Sequence, residues 1–252
     1  MIVHRYRHKY TFPSIIILLI LAFSGLVWGY FNMRQNTTVP RGSNMSVLGI
    51  ELDQTKDYID LHKLEKNGIS FVYLRSTQGK SYFDDNYLLY RDQLQGTNLN
   101  FGTIIAYSDE TSNQDQYQYF VNKVGTNTGS LPVMIVPATN HLTKSYWKRM
   151  GEFAQMINNL GKRTMIAGDY RYHNYFPEGT RFLYTGASLK DRRHYAFWCY
   201  TQNGRVKNID NLDRDVTMFA YIGTNTQYAQ LYSQEKNTIE EVKCIQKQFH
   251  KF

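Results

Sequence analysis

The chain has 252 residues, 42% of them hydrophobic, enough for one large domain or two small ones around a sizeable core. Its formal net charge is +8, but residues 1–45 hold five basic residues and no acidic one, which leaves 24 basic against 21 acidic residues in the remainder. That near balance, with no long Lys/Arg run, excludes the usual electrostatic footprint of a nucleic-acid binder. Aromatic residues reach 15%, with 21 Tyr, which suits both packed cores and clefts where rings meet sugars or peptides.

In chain order, Arg5, Arg7 and Lys9 come first, and no charged residue follows until Arg34. The stretch between them, SIIILLILAFSGLVWGYF, is long enough to cross a bilayer as a helix, for which about 20 apolar residues suffice. Trp28, Tyr30 and Phe31 gather at its far end, where amphipathic rings favour the headgroup zone, and the leading basic residues place the N-terminus in the cytoplasm. A cleaved signal peptide is the competing interpretation, but Ala22-Phe23-Ser24 is a poor small-x-small site and the apolar run is long for one. Residues 1–11 are therefore expected to be a cytoplasmic tail, 12–31 a transmembrane helix in the cell membrane of a bacterial-type cell, 32–46 a polar linker punctuated by Pro40 and Gly42, and 47–252 one extracytoplasmic domain.

Within that domain, short apolar runs alternate with amphipathic stretches. Strands are predicted over 47–52, 69–74, 101–107, 131–136 and 164–167, and helices over 61–67, 86–94, 114–124 and 145–160. Later helices thin out: strands are predicted over 182–185, 195–200 and near Val216, and a closing helix over 238–252 begins with the capping-box pattern Thr238-Ile-Glu-Glu241. Strands alternating with helices imply βα units and a parallel sheet. Eight strands over ~200 residues fit an irregular TIM-like β/α barrel, an α/β fold that periodicity alone does not separate from an open doubly wound sheet. The cysteines, Cys199 in a strand-like run and Cys244 in the last helix, allow either a disulfide outside the cell or two buried thiols, and no C-x-x-C spacing suggests a metal.

Several ordered segments resemble the glycoside hydrolase family 25 lysozymes, which cut the bond between N-acetylmuramic acid and N-acetylglucosamine in peptidoglycan. Leu48-Gly-Ile-Glu51 is similar to that family's opening G-I-D strand, and Tyr58-Ile-Asp60 with Lys66-Asn-Gly-Ile-Ser-Phe71 to its I-D-W…G-x-S-F segment. Arg75-Ser-Thr-Gln-Gly79 resembles K-A-T-E-G, Tyr82-Phe-Asp-Asp85 resembles Y-x-D, and Phe197-Trp-Cys-Tyr200 resembles F-W-Q-Y. Asn203-Gly-Arg-Val206 and Asn211-Leu-Asp-Arg214 resemble the closing G-x-V…V-D-x-N. The resemblance implies an irregular β/α barrel with a glycan cleft at the C-terminal ends of the strands, no cofactor, and peptidoglycan or a related glycan as partner.

Hydrolysis of a glycosidic bond needs two carboxyl groups, one to protonate the leaving oxygen and one to act as base, nucleophile or charge stabiliser. The family's central D-x-E falls on Val136 and Ala138, neither of which can transfer a proton. Loss of one general acid or base is worth about 10²–10⁴-fold in rate. The family's first-strand Asp is matched by Glu51 and its late Asp by Asp213, which are the remnant catalytic candidates, while the Gln of F-W-Q-Y is Cys199. Asp53, Tyr107, Asp109, Asp169, Trp198 and Tyr200 are the candidate substrate-binding residues; the acids follow strand ends, and Trp198 and Tyr200 share one side of a strand. The same acids also fit solvated loops and caps, and the same rings fit a core. Tyr170-Arg-Tyr-His-Asn-Tyr175 either lines a groove or forms an ordered surface loop. His141 and His173 have no nucleophile context, and no phosphate loop or dinucleotide fingerprint is present. Three functions remain open: a membrane-anchored lysozyme-like binder with weak or lost hydrolysis, an active muramidase with rearranged carboxylates, and an interaction scaffold for a protein partner in a wall or secretion complex.

Overall fold

The computed structural model describes residues 8–34 and 36–232, in two compact units divided after Thr37. The first unit is helix α1 (His8–Arg34), whose window Phe12–Tyr30 has a mean hydropathy of 2.2 and exposes its apolar side chains on every side. A helix apolar all round suits lipid. Its one hydroxyl in the middle, Ser24, donates to the carbonyls of Ile20 (2.8 Å) and Leu21 (3.1 Å), so no polar group there lacks a partner.

The second unit is built on β1 (Leu48–Leu52), α2 (Leu61–Lys66), β2 (Ile69–Gln78), β3 (Tyr82–Phe83), α3 (Tyr87–Leu94), β4 (Asn100–Tyr107), α4 (Asn113–Val124), β5 (Val133–Pro137), α5 (Lys144–Asn158), β6 (Thr164–Ala167), β7 (Arg181–Thr185), β8 (Phe197–Gly204) and β9 (Val216–Tyr221). The strands run in the order β1-β9-β8-β7-β6-β5-β4-β2, and β1 pairs with β2 to close an eight-stranded barrel, with β3 a short hairpin arm on β2. This is the irregular TIM-like barrel expected from the sequence.

Seven strands run parallel to one another, but β9 is antiparallel to both β8 and β1, a departure from the expected all-parallel sheet. The cause lies in residues 205–215, which turn back through Asn208, Asn211 and Asp215 at positive φ instead of forming a crossover helix. A parallel strand needs such a crossover, whereas an antiparallel one does not. After β6 the helix is reduced to a 3-10 turn, Tyr170–Tyr175.

Local chemistry agrees with these elements. Asp60 caps α2, Ser112 caps α4 and Thr143 caps α5, each side chain accepting from backbone amides of the first turn. Strand alternation then separates two apolar layers. Phe71, Tyr73, Ile104, Met134, Met165, Leu183, Phe197 and Phe219 fill the barrel interior, while Ile50, Leu74, Ile105, Trp147, Phe153, Ile166, Trp198 and Met218 pack between barrel and helices. Residues 225–232 are helical, and Tyr228 stands over the N-terminal ends of the strands, its hydroxyl accepting from Asn100 Nδ2 at 3.2 Å. The closing helix expected at 238–252, with Cys244, lies outside the described residues.

Residues 38–46, expected as part of a linker, are held on the barrel. Thr38 exchanges hydrogen bonds with the Arg205 backbone (3.0 and 3.1 Å), the Tyr200 hydroxyl donates to the Thr38 carbonyl (2.8 Å), and Pro40 is buried. These partners come from the end of β8, which local sequence patterning does not reveal.

Candidate glycan cleft

The C-terminal ends of the parallel strands carry two chemically different halves. On the β1–β3 side, alternation turns Ile50 and Leu52 outward and Glu51 toward the barrel mouth. Arg75, at the end of β2, places Nη1 3.6 Å from Glu51 Oε1 and extends Nη2 toward Gln78. Burial raises the Glu51 carboxyl above the usual range; Arg75 opposes the rise, and Asp53 and Asp84 add to it.

Asp84 is fully buried at the start of α3, where its carboxylate accepts from the backbone of Gln54 (2.8 Å) and Asn86 (3.0 Å) and from the Tyr82 hydroxyl (3.4 Å). Burial pushes its pKa up against those donors. Asp53 accepts from the backbone and hydroxyl of Thr55 and so shapes the β1–α2 loop. Beneath them the Cys199 thiol faces the interior, its pKa pushed up to about 12 by burial and by Glu51, so it is no thiolate nucleophile at neutral pH.

The β5–β7 side has no such cluster. Val136 packs at the rim of the interior layer, and Ala138 is exposed, its amide donating to the Tyr107 carbonyl at 2.9 Å. A cleft of about 450 Å³ opens here, lined among others by Thr139, Asn140, Asp169, Tyr184, Thr185 and Tyr195. Tyr184 and Tyr195 meet edge to face, 5.2 Å between centroids. Its carboxylate, Asp169, caps the 3-10 turn and holds Arg171 through two 2.7 Å contacts; the hydrogen bonds from Arg171 keep its pKa below the usual carboxylate range.

The structure thus brings Glu51 and Asp53 together on one side of the mouth and sets Asp169 in the cleft wall. Asp213 lies exposed in the β8–β9 loop, and Asp109 is exposed after β4, its backbone carbonyl accepting from Arg149 at 3.0 Å. Three expected cleft residues are placed elsewhere. Tyr107, Trp198 and Tyr200 belong to the outer layer, because alternation turns them away from the interior that holds Ala106 and Cys199. Tyr107 bonds Asn113, Trp198 donates to the Gly186 carbonyl, and Tyr200 holds Thr38. Arg75 and Asp84 were not among the sequence candidates, although both stand in segments that carry the resemblance. Nor were Tyr184 and Tyr195, for which no local signal exists. Among the described residues no group of three or more His, Cys, Asp or Glu side chains is arranged to hold a metal.

The half-buried Glu51 carboxyl has a measurable consequence. A carboxyl whose pKa is raised on folding contributes most below its unfolded value, near 4.5, and that contribution is lost as pH rises through the folded value. Glu51→Gln is therefore expected to melt at a denaturant midpoint whose advantage over the native chain grows from pH 4 to pH 7. Asp169, shifted the opposite way, is common to both proteins and drops out of the difference. Equal midpoints at both pH values would contradict a raised Glu51.

Comparison with known proteins agrees with this geometry. The family model described as glycosyl hydrolases family 25 matches residues 50–209. The structure is similar to a family 25 glycosyl hydrolase from Bacillus anthracis, with a TM-score of 0.65 and 15% identity over 78% of this chain and 97% of that one. It is also similar to the bacterial lysozyme from Streptomyces coelicolor (TM-score 0.62, 16% identity, 77% and 100% covered) and to the spore cortex lytic enzyme SleM of Clostridium perfringens (TM-score 0.57, 14% identity, 73% and 70% covered). No curated protein matches the chain. With the matched model spanning more than half of the sequence and the eight-stranded barrel closed in the same way, the chain belongs to glycosyl hydrolase family 25.

Proposed function

We propose that this family member is anchored in the cell membrane by α1, carries its barrel on the extracytoplasmic side, and binds peptidoglycan or a related glycan with weak or lost hydrolysis. The observation that carries this is the pair Val136 and Ala138 at the end of β5, where the reaction needs carboxyl groups on the cleft. Three of the carboxylates near the mouth are committed elsewhere, Glu51 to Arg75, Asp84 to backbone amides and Asp169 to Arg171, while Asp109 and Asp213 stand exposed in loops. A catalytic group displaced by even ~1 Å loses about 10² in rate. The basic tail before α1 supports the orientation, and a cleft with two tyrosine rings and neutral hydroxyl and amide groups suits sugars.

One observation favours a second reading, an active muramidase with rearranged carboxylates: a half-buried acid with a raised pKa, as at Glu51, is what a proton donor requires. The two are separated by adding full-length protein in detergent to purified peptidoglycan and scoring turbidity and pelleting in the same tube. Pelleting without clearing is expected, unchanged by Glu51→Gln or Asp213→Asn. Clearing that either substitution abolishes would replace the proposal with the second reading, and neither pelleting nor clearing would direct attention to a protein partner.

A further inference from the structure

The strap over residues 38–46 is fastened at its two ends and open in its middle. At one end Thr38 is bonded to the Arg205 backbone and accepts from the Tyr200 hydroxyl, and Pro40 is buried. At the other, Met45 packs against the outer layer and the Ser46 hydroxyl donates to Asn225 Oδ1 at 3.0 Å. Between these ends Arg41, Gly42 and Asn44 are exposed, and residues 41 and 42 make a turn with Gly42 at φ +66°. A Cβ added at Gly42 would meet nothing within 4 Å, so the space beside the turn is open. Ser43 Oγ is buried without a hydrogen-bond partner, which weakens the hold on the turn. Among the described residues no acceptor engages the Arg41 guanidinium.

The same turn carries the chemistry that an arginine-specific endoprotease reads. A free guanidinium is what a specificity pocket closed by a carboxylate takes up, through paired charge-assisted hydrogen bonds. Pro40 presets the backbone one residue before it, and Gly42 lets the turn straighten at little cost. Exposed loop tips with small and polar residues are preferred sites of nicking. Arg41 is also the sole basic residue between Arg34 and Lys56. Lys190, Arg192 and Arg193 are exposed too, but a cut in the β7–β8 loop leaves α1 joined to β1. Seating the segment before Arg41 in a protease draws Pro40 off the barrel, so the bonds at Thr38 limit how often the site opens.

We propose that the Arg41–Gly42 bond is a processing site for an endoprotease of trypsin-like specificity, whose cut releases the barrel from α1. Water adds across one peptide bond: Arg41 gains a carboxylate, Gly42 gains an ammonium, and no other bond changes. This rests on α1 being the membrane anchor. The freed barrel begins at Gly42 and lacks Thr38, so the Tyr200 hydroxyl and the Arg205 amide lose their partners. Release and loosening of the β8–β9 loop, which carries Asp213, therefore come from one event.

The test treats full-length protein in phosphatidylcholine vesicles with limiting trypsin, sediments the vesicles, and identifies the first soluble product by its N-terminal residue and mass. That product is expected to begin at Gly42. Arg41→Gln should slow its release by at least about tenfold while cleavage within residues 190–193 keeps its rate. Tyr200→Phe, which removes one bond to Thr38, should speed release about fivefold. A first soluble product beginning at residue 35 or elsewhere, or release from Arg41→Gln at the native rate, overturns the site. Untreated protein that remains in the supernatant overturns the anchor reading, and the release with it, whatever bond trypsin cuts.

Discussion

Trp198→Ala is expected to destabilise the barrel by about 3–5 kcal/mol while leaving the glycan affinity of the remaining folded protein unchanged. The indole is 1% exposed, packs edge to face with Tyr200 at 5.7 Å, and donates to the Gly186 carbonyl. Its removal leaves a cavity in the outer layer and an unpaired carbonyl at the start of the β7–β8 loop, and both effects add. A ring exposed in the cleft would behave in the opposite way, with truncation lowering affinity and sparing stability. Denaturant unfolding and wall pelleting of the same variant, below its unfolding midpoint, separate the two. Unimpaired stability with lost binding would return Trp198 to the cleft.

The second large effect is expected at Gly151→Ala, which should cost about 1–3 kcal/mol although alanine is the better helix former by about 1 kcal/mol. Gly151 lies in α5 beneath the 3-10 turn, and a Cβ added there would meet the Tyr175 carbonyl oxygen at 1.9 Å and its carbon at 2.8 Å. Backbone cannot rotate out of the way as a side chain does, so helix and turn must separate. The turn carries Tyr170 and follows Asp169, so the strain reaches the cleft wall and the anchor of the β7–β8 loop at Tyr195. A calorimetric melting temperature equal to or above that of the native chain would show that the turn yields freely.

Much of this architecture was legible in the chain. The uncharged run before Arg34, the amphipathic stretches over 61–67, 86–94, 114–124 and 145–160, and the apolar strands from 69 onward are local patterns, and each produced the element its composition demands. Family resemblance singled out Val136 and Ala138 from short motifs; in the structure Val136 lies at the end of β5 and Ala138 directly follows it. Asp84 was harder. Its neighbour Tyr82 and the acid pair 84–85 were visible, but two amides from Gln54 and Asn86 make the buried site, and Gln54 is contributed by a loop 30 residues away.

What the sequence alone determined is therefore what period and composition encode: one apolar helix long enough for a bilayer, the succession of strands and helices, and two side chains at 136 and 138 that cannot transfer a proton. Tertiary structure decided which side of each strand faces which layer. Period two states that Trp198 and Tyr200 share a side; only closure of the barrel, with Cys199 turned inward, decides that this side is the outer one. The pairing of Glu51 with Arg75, the cleft wall of Tyr184 and Tyr195, the antiparallel β9 and the fastening of Thr38 to β8 likewise depend on contacts between residues distant in the chain. Such contacts are set by how eight strands close on one another, a global constraint that no local window of residues contains.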